Sequence, residues 1–343
     1  MDIEKSVRGI LGIVEDTEMS PVSRREFVER TAVGVGAMAS GIALAREAEA
    51  AKAGAGGQEP VRKLGVLDDY RDGRLALLKQ LGYECMSVKT RRGNQAGDAI
   101  GSADGQKKML GDFAKNGLVI SALAVYENFL HPPEGTEEKV KFLTSVVQAA
   151  GKMGVKVVAL MTGRDPAKSI DDSIPDFKRV FTPVARVAED SGVKMCFENW
   201  VGGNDISHGV NIGICPDGFK MMFDAVPSEA IGLEYDPSHL YWQGIDHIRV
   251  IHEFGSRIHH VHLKDVEILP ERLYRRGCTG GSFRFRIPGW GQIKWQDVFT
   301  ALMEERYQGN MVIEHEDPLF SRDRFDEGLR LAHDYLRPIF PSW

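Results

Sequence analysis

One stretch constrains the fold of this chain more than any other: Arg257-Ile258-His259-His260-Val261-His262-Leu263-Lys264-Asp265. Strand periodicity puts Val261 and Leu263 on one face and His260, His262 and Lys264 on the other. A half-exposed strand turns its polar face to water. This one comes late in a run of alternating strand and helix signals, where a parallel sheet carries helices on its outer face. Val261 and Leu263 then pack on helices, and the imidazoles and the ammonium point inward. Inward polar groups at the C-terminal ends of strands are how a (β/α)8 barrel builds a reactive site. The competing reading is a set of hydrogen-bonded core histidines.

The rest of the chain favours the barrel. Strand patterns recur at Lys63–Leu67, Glu84–Val88, Leu118–Leu123, Lys156–Met161, Lys194–Glu198, Ile231–Tyr235, Ile258–Leu263 and Met311–Glu314. Helical patterns alternate with them at Arg74–Leu81, Gln106–Lys115, Glu137–Met153, Asp176–Ser191, Asp217–Ala225, Asp246–Phe254, Gln296–Arg306 and Arg324–Leu336. Gly82, Gly117, Gly154, Gly192 and Gly309 stand between a helix and the next strand, where left-handed stop residues are expected. This is the size and order of a single-domain α/β TIM barrel, expected over residues 60–343. An open doubly wound sheet would place a glycine-rich phosphate loop after its first strand. Leu67-Asp68-Asp69-Tyr70-Arg71-Asp72-Gly73 is no such loop.

Residues 1–55 read as a segment outside the barrel. Ser23-Arg24-Arg25-Glu26-Phe27-Val28 resembles a twin-arginine export motif, followed by a Gly/Ala-rich apolar stretch from Thr31 to Ala45 and several A-x-A cleavage sites. An Ala-rich surface helix is the alternative. The export reading implies the Tat machinery as a partner and the periplasm or cell exterior as the destination. No stretch approaches the ~20 strongly apolar residues of a membrane span. Cys85, Cys196, Cys215 and Cys278 are scattered and form neither a disulfide framework nor a zinc ribbon. A net charge of -6 without a basic run argues against a nucleic-acid partner.

Four consecutive strand ends carry metal-ligand chemistry. Met195-Cys196-Phe197-Glu198 turns Glu198 inward by parity, and Leu233-Glu234-Tyr235-Asp236 does the same for Asp236. The seventh strand supplies His262 and the eighth Glu314, with Glu316 one step further out on the same face. Taken singly, each acid reads equally as a helix cap or a salt-bridge partner. Together, three carboxylates and an imidazole suit one divalent ion, Mn, Mg, Co, Fe or Zn, better than a thiolate-preferring metal. Without a cation they would repel one another.

Phe-Glu-Asn, Asp-Pro-Ser-His, His-x-His-Leu-Lys-Asp, Pro288-Gly289-Trp290-Gly291 and Ile-Glu-His-Glu-Asp together resemble the xylose isomerase-like TIM-barrel superfamily over about residues 60–340. The nearest resemblance within it is to the sugar (phosphate) isomerases and epimerases. It implies that Glu198, Asp236, His262 and Glu314 match the metal tetrad of the ketose 3-epimerases, and that His239 contacts substrate. His131, in a short motif after the third strand, and His208, on the loop after Glu198, are further candidates for the pocket. Lys264 would hold a substrate oxygen or pair with a carboxylate such as Glu234 or Glu316. His260 reads as structural, and Asn199 as a support for the ligands. The segment Val266–Pro288 reads as a long loop whose Arg272, Arg275, Arg276, Arg284 and Arg286 would cover the pocket and bind an anion, or else face solvent or a subunit.

The function implied is a metal-dependent isomerase or epimerase of a sugar or keto-sugar, a small-molecule carbohydrate, with Glu198 and Glu314 as acid and base. A 3-keto-glycoside lyase would share the first step, proton abstraction next to a carbonyl. An endonuclease-IV-like phosphodiesterase would need more ligands and a basic groove. A non-catalytic carbohydrate-binding barrel would show no turnover. Whether the chain forms a homo-oligomer stays open.

Overall fold

The computed structural model describes residues 62–203, 209–278 and 281–341. The export segment and His208 lie outside the described residues. Seven strands come first: β1 (Leu64–Asp68), β2 (Cys85–Lys89), β3 (Val119–Val125), β4 (Val157–Leu160), β5 (Lys194–Glu198), β6 (Ile231–Tyr235) and β7 (Ile258–Leu263). β8 (Asp265–Ile268) and β9 (Phe283–Arg286) pair as a separate antiparallel ribbon, and β10 (Met311–Ile313) lies between β7 and β1 to complete a closed parallel ring. The helices are α1 (Arg74–Gln80), α2 (Gln95–Ile100), α3 (Ala103–Lys115), α4 (Thr136–Met153), α5 (Ile170–Ser191), α6 (Pro216–Ala225), α7 (Pro237–Trp242), α8 (His247–Phe254), α9 (Pro270–Arg276), α10 (Trp295–Glu304) and α11 (Phe325–Leu336).

Alternation along each strand separates two cores. Outward residues such as Val66, Val88, Phe197, Tyr235 and Leu263 join the apolar layer under the helices. The inward set is small: Leu67, Cys85, Ala122, Ala124, Ala159, Cys196 and Val312. Small side chains low in the barrel leave room higher up for longer polar ones. Histidines 260 and 262 and Lys264 are buried on that inward face, as period-two alternation requires.

Three local expectations change. The helix expected from Asp176 begins at Ile170, because the Ser169 hydroxyl caps it by accepting from the Asp172 amide, 3.0 Å away. Pro175 and Pro183 then lie inside the helix. Gly309 is not a left-handed stop; Arg306 takes that conformation, with φ 56°. A Cβ at Gly309 would instead clash with the Tyr307 ring. The long segment after β7 is not a loop but the β8–β9 ribbon with α9 between its strands, paired from Asp265–Arg286 to Ile268–Phe283.

Candidate active site

The chemistry gathers at the C-terminal ends of β5, β6, β7 and β10, each position set by local chain structure. Glu198 is the last residue of β5. The Asn211 side chain donates to the Glu198 carbonyl at 2.9 Å and to that of Trp200 at 2.7 Å, holding the chain that leaves the strand. Pro237 stops β6 and opens α7, leaving Asp236 as the helix cap. One carboxylate oxygen, Oδ1, accepts from the Ser238 amide at 2.8 Å. The cap and ligand readings of Asp236 are therefore compatible, because Oδ2 remains for the site. Asn199 fixes the same residue: it accepts from the Asp236 amide at 2.7 Å and donates to the Asp236 carbonyl at 2.8 Å.

His262 stands at the centre. Its Nδ1 lies 3.2 Å from Glu198 Oε1, 3.1 Å from Glu314 Oε2 and 4.0 Å from Asp236 Oδ2. Its Nε2 faces down the barrel, 3.0 Å from Glu234 Oε1. Glu234 is also 2.8 Å from His260 Nδ1 and accepts from the Tyr126 hydroxyl at 2.7 Å. His260 reaches Ser121 Oγ at 3.3 Å, so it belongs to a buried network under the site.

Lys264 caps the cluster from the other side. Its ammonium lies 2.6 Å from Glu314 Oε2, 3.1 Å from Glu316 Oε2 and 3.2 Å from Asp236 Oδ2, and it donates to His239 Nε2 at 2.9 Å. His239 Nε2 is itself 3.6 Å from Asp236 and 3.8 Å from Glu198. The structure thus brings Glu198, Asp236, His239, His262, Lys264 and Glu314 together.

These distances set the protonation states. Burial first, and then the Glu314 charge, push the Glu198 carboxyl up to about 8. Burial also acts on Glu314, but Lys264 and His262 outweigh it and hold that carboxyl well below its usual range. Under the site, burial of Glu234 is outweighed by His262 and His260, which hold it down at about 2. Burial and the Lys264 charge keep His239 neutral, well below the usual imidazole range.

The donor set fits a divalent ion. Burial works against the His262 charge, but Glu234 and Glu314 outweigh it and hold the imidazolium well above its usual range. With Nε2 turned to Glu234, a divalent ion would take the place of the Nδ1 proton between two carboxylates. Acceptors facing one another at these distances need a proton or a cation between them. Asp236 Oδ2 is buried without a hydrogen-bond partner of good geometry and points at the same place. Glu198, Asp236, His239 and Glu314 offer ligand atoms within 4.8 Å of one another. Glu316, by contrast, is half exposed at the rim.

A cavity of about 230 Å³ opens onto this cluster. Glu198, Lys264, Glu314 and Glu316 line one side, Tyr126 and Trp200 flank it, and Leu67, Ala124, Lys89 and Arg91 line the rest. His131 is not in the lining. Asn128 Oδ1 accepts from the His131 amide at 2.9 Å and curls the loop away, so the imidazole faces Asp165 at 3.7 Å. The arginines of residues 266–288 do not line it either. Arg284 and Arg286 pair with Glu267, Arg286 also with Asp317, and Arg275 with Glu271. Tyr126, Glu234, Trp200 and Lys89 were not among the sequence candidates for the site. Inward parity with Ala122 and Ala124 marks Tyr126, and parity with Asp236 marks Glu234.

Several known proteins are similar to this chain. An uncharacterized protein, YfiH, of Bacillus subtilis (strain 168) is 26% identical over 275 residues, 70% of this chain and 84% of that protein. The inosose dehydratase of Geobacillus thermodenitrificans (strain NG80-2) is 27% identical over 206 residues, 54% of this chain and 65% of the dehydratase. Among solved structures, the 3-keto-D-glucoside 4-epimerase of E. coli superposes with a TM-score of 0.62 at 14% identity, over 81% of this chain and 99% of that one. The D-psicose 3-epimerase of Clostridium cellulolyticum H10, solved with D-tagatose, superposes at 0.59 and 16%, again over 81% and 99%. An IolI protein with a bound zinc atom superposes at 0.64 and 18%, over 82% and 99%. These likenesses show the fold. The family model described as xylose isomerase-like TIM barrel matches residues 75–338, and the chain belongs to that family.

Proposed function

We propose that this protein is a divalent-metal-dependent enzyme that moves a proton at a carbon next to a carbonyl of a carbohydrate, as an isomerase or epimerase. One observation carries the reading: Glu198 and Glu314, three strands apart around the ring, both reach within about 3.2 Å of His262 Nδ1. Relatives whose names describe epimerases and a dehydratase of small polyols and sugars support it. Glu198, Asp236, His262 through Nδ1, and Glu314 would hold the ion. When bound, it supplies positive charge beside a carbonyl oxygen, where negative charge grows as the neighbouring proton leaves.

The chain's own residues do the rest. Glu198 and Glu314 address a substrate from separate sides, so one takes the proton and the other returns it to the opposite face. Lys264, which lines the cavity, holds a substrate oxygen, and His239 behind it accepts from the ammonium and fixes its position. Trp200 and Tyr126 form a partly aromatic wall that keeps bulk water from the reacting carbon.

A second reading is elimination after the same abstraction, as a dehydratase or keto-glycoside lyase. It is favoured by the Lys264–His239 pair, 2.9 Å apart beside Glu314, which is placed to protonate a departing oxygen. NMR in D₂O on the metal-loaded protein, over free sugars, keto-sugars and 3-keto-glycosides, separates the two. An epimer keeps the carbon skeleton; elimination releases water or an aglycone. Glu198→Gln and Glu314→Gln should each lower turnover by about 10²–10⁴-fold, with metal retained by elemental analysis. Near wild-type rates in both metal-loaded variants would remove the two-base mechanism. Turnover by neither route, with sugar still bound, would leave a binding barrel.

A further inference from the structure

The wall of the cavity opposite the carboxylates carries a cation that the mechanism above leaves unused. β2 lies opposite β6 in the ring. Its last residue, Lys89, has the inward parity of Cys85 and Ser87 and lines the cavity. Among the described residues no ion pair or hydrogen bond engages its ammonium. Arg91, two residues on, lines the same wall and pairs at 2.5 Å with Asp69, which is partly exposed.

The turn that presents them is built rather than loose. Asn94 donates to the Lys89 carbonyl at 2.8 Å and accepts from the Arg91 amide at 3.1 Å, while capping α2 by accepting from the Gly97 amide at 2.8 Å. Between the two cations, Thr90 is buried, its amide donating to the Ala124 carbonyl of β3 at 2.7 Å and its hydroxyl to the Val88 carbonyl at 2.9 Å. The backbone that carries Lys89 and Arg91 is thus tied beside the cavity.

The charge of Lys264, the other ammonium in the cavity, is already balanced by Asp236, Glu314 and Glu316. A ligand that fills the cavity strips water from Lys89. An ammonium covered in this way is unfavourable unless the ligand supplies an acceptor, and an anion suits it best. A phosphate dianion is more often met by several free guanidinium groups. Among the described residues one ammonium is free and one guanidinium is shared, which matches a single negative charge.

We infer that Lys89, assisted by Arg91, is a specificity-determining subsite for a carboxylate, so that the substrate is a sugar acid rather than a neutral sugar. This rests on the reading of the cavity as a substrate site. Metal analysis and proton exchange report on that reading, whereas the experiment below reports on the subsite, so either can fail alone. The Mn²⁺-loaded full chain is titrated calorimetrically with D-glucuronate and D-gluconate, with their neutral twins D-glucose and D-glucitol, and with D-glucose 6-phosphate. At least one acid should bind about ten-fold or more tightly than its twin, the range of one charge-assisted hydrogen bond. Lys89→Gln, with folding checked by circular dichroism, should abolish that advantage and leave the twin's affinity unchanged. Equal binding of acid and twin, an advantage that survives in Lys89→Gln, binding of the phosphate ester alone, or no binding of either acid would each overturn the assignment.

Discussion

His262 is bound on both sides, and its two nitrogens do different work. Nε2 faces Glu234 at 3.0 Å, and Nδ1 faces Glu198 and Glu314. A carboxylate behind an imidazole selects the tautomer and orients the ring for a metal in front. Glu234→Gln keeps a hydrogen-bond partner near Nε2 but removes the charge. It should weaken divalent-ion affinity by about 10–100-fold, the usual effect of losing such support. Competition against a metal-sensitive dye measures this. An affinity equal to wild type would show that Glu234 serves only the His260 and Tyr126 network. The inward parity of Glu198, Asp236 and Glu314 was legible in the sequence, because alternation needs only local information. That Glu234 stands behind His262 depends on how β6 and β7 pair, and their register shifts between Leu233 and Glu234.

At the scale of elements, the β8–β9 ribbon departs most from the sequence reading. A segment read as a long loop is instead a paired ribbon packed beside the site. Phe283 stacks on Trp242 at 4.4 Å and 13°, and Phe285 packs against His239 and lies over the Lys264 ammonium at 5.1 Å and 4.5 Å from the ring centroid. Its arginines are consumed by Glu267 and Asp317, which explains their absence from the cavity. The ribbon is anchored by Asp265, which is fully buried and accepts from the amides of Val266, Gly289 and Ile293 at 2.8–3.0 Å and from the Trp295 indole at 3.2 Å. Asp265→Ala would leave four donors without a partner, a loss of about 3 kcal/mol or more. Asp265→Asn should be milder, since its amide oxygen can still accept. Chemical denaturation of both variants tests this. A loss below about 1 kcal/mol in Asp265→Ala would mean that water satisfies the knot.

For the whole molecule, pH dependence is set partly at the opposite end of the barrel from the site. A Cβ at Gly232 would clash with the His259 ring and the Arg257 carbonyl, so this glycine lets His259 fold over the base of β6. Burial first, and then the Lys194 charge, lower the His259 imidazole to about 4. In the unfolded chain it titrates near 6.5. Below pH 6.5 the unfolded state takes up a proton that the folded state refuses until about pH 4. The His259 contribution to stability therefore falls as pH drops through this window and is level above it. The difference corresponds to about 3 kcal/mol at most. His239, His247 and His315, also lowered by burial, add to the same slope. His259→Gln should reduce the slope of unfolding free energy against pH between about 4 and 6.5. An unchanged slope would assign the acid sensitivity to the other histidines.

The barrel, its eight strands and the inward face of each were legible from residue pattern. β5, β6 and β7 have the bounds expected, and the others differ by a residue or two. Period-two alternation and the helix-stopping glycines Gly82, Gly117, Gly154 and Gly192 are local properties, so they survive without knowledge of the fold. Which residues meet across the ring follows from barrel closure and not from local pattern. The ribbon after β7, the pairing of Lys264 with three carboxylates and the placement of Lys89 opposite Asp236 all depend on contacts between segments far apart in the chain. His131 shows the same limit: a loop histidine beside a strand end reads as a pocket residue, and one asparagine, bonded to its own turn and to Arg164, turns it elsewhere. Local pattern fixes the face a side chain takes, whereas closure of the barrel fixes its partners.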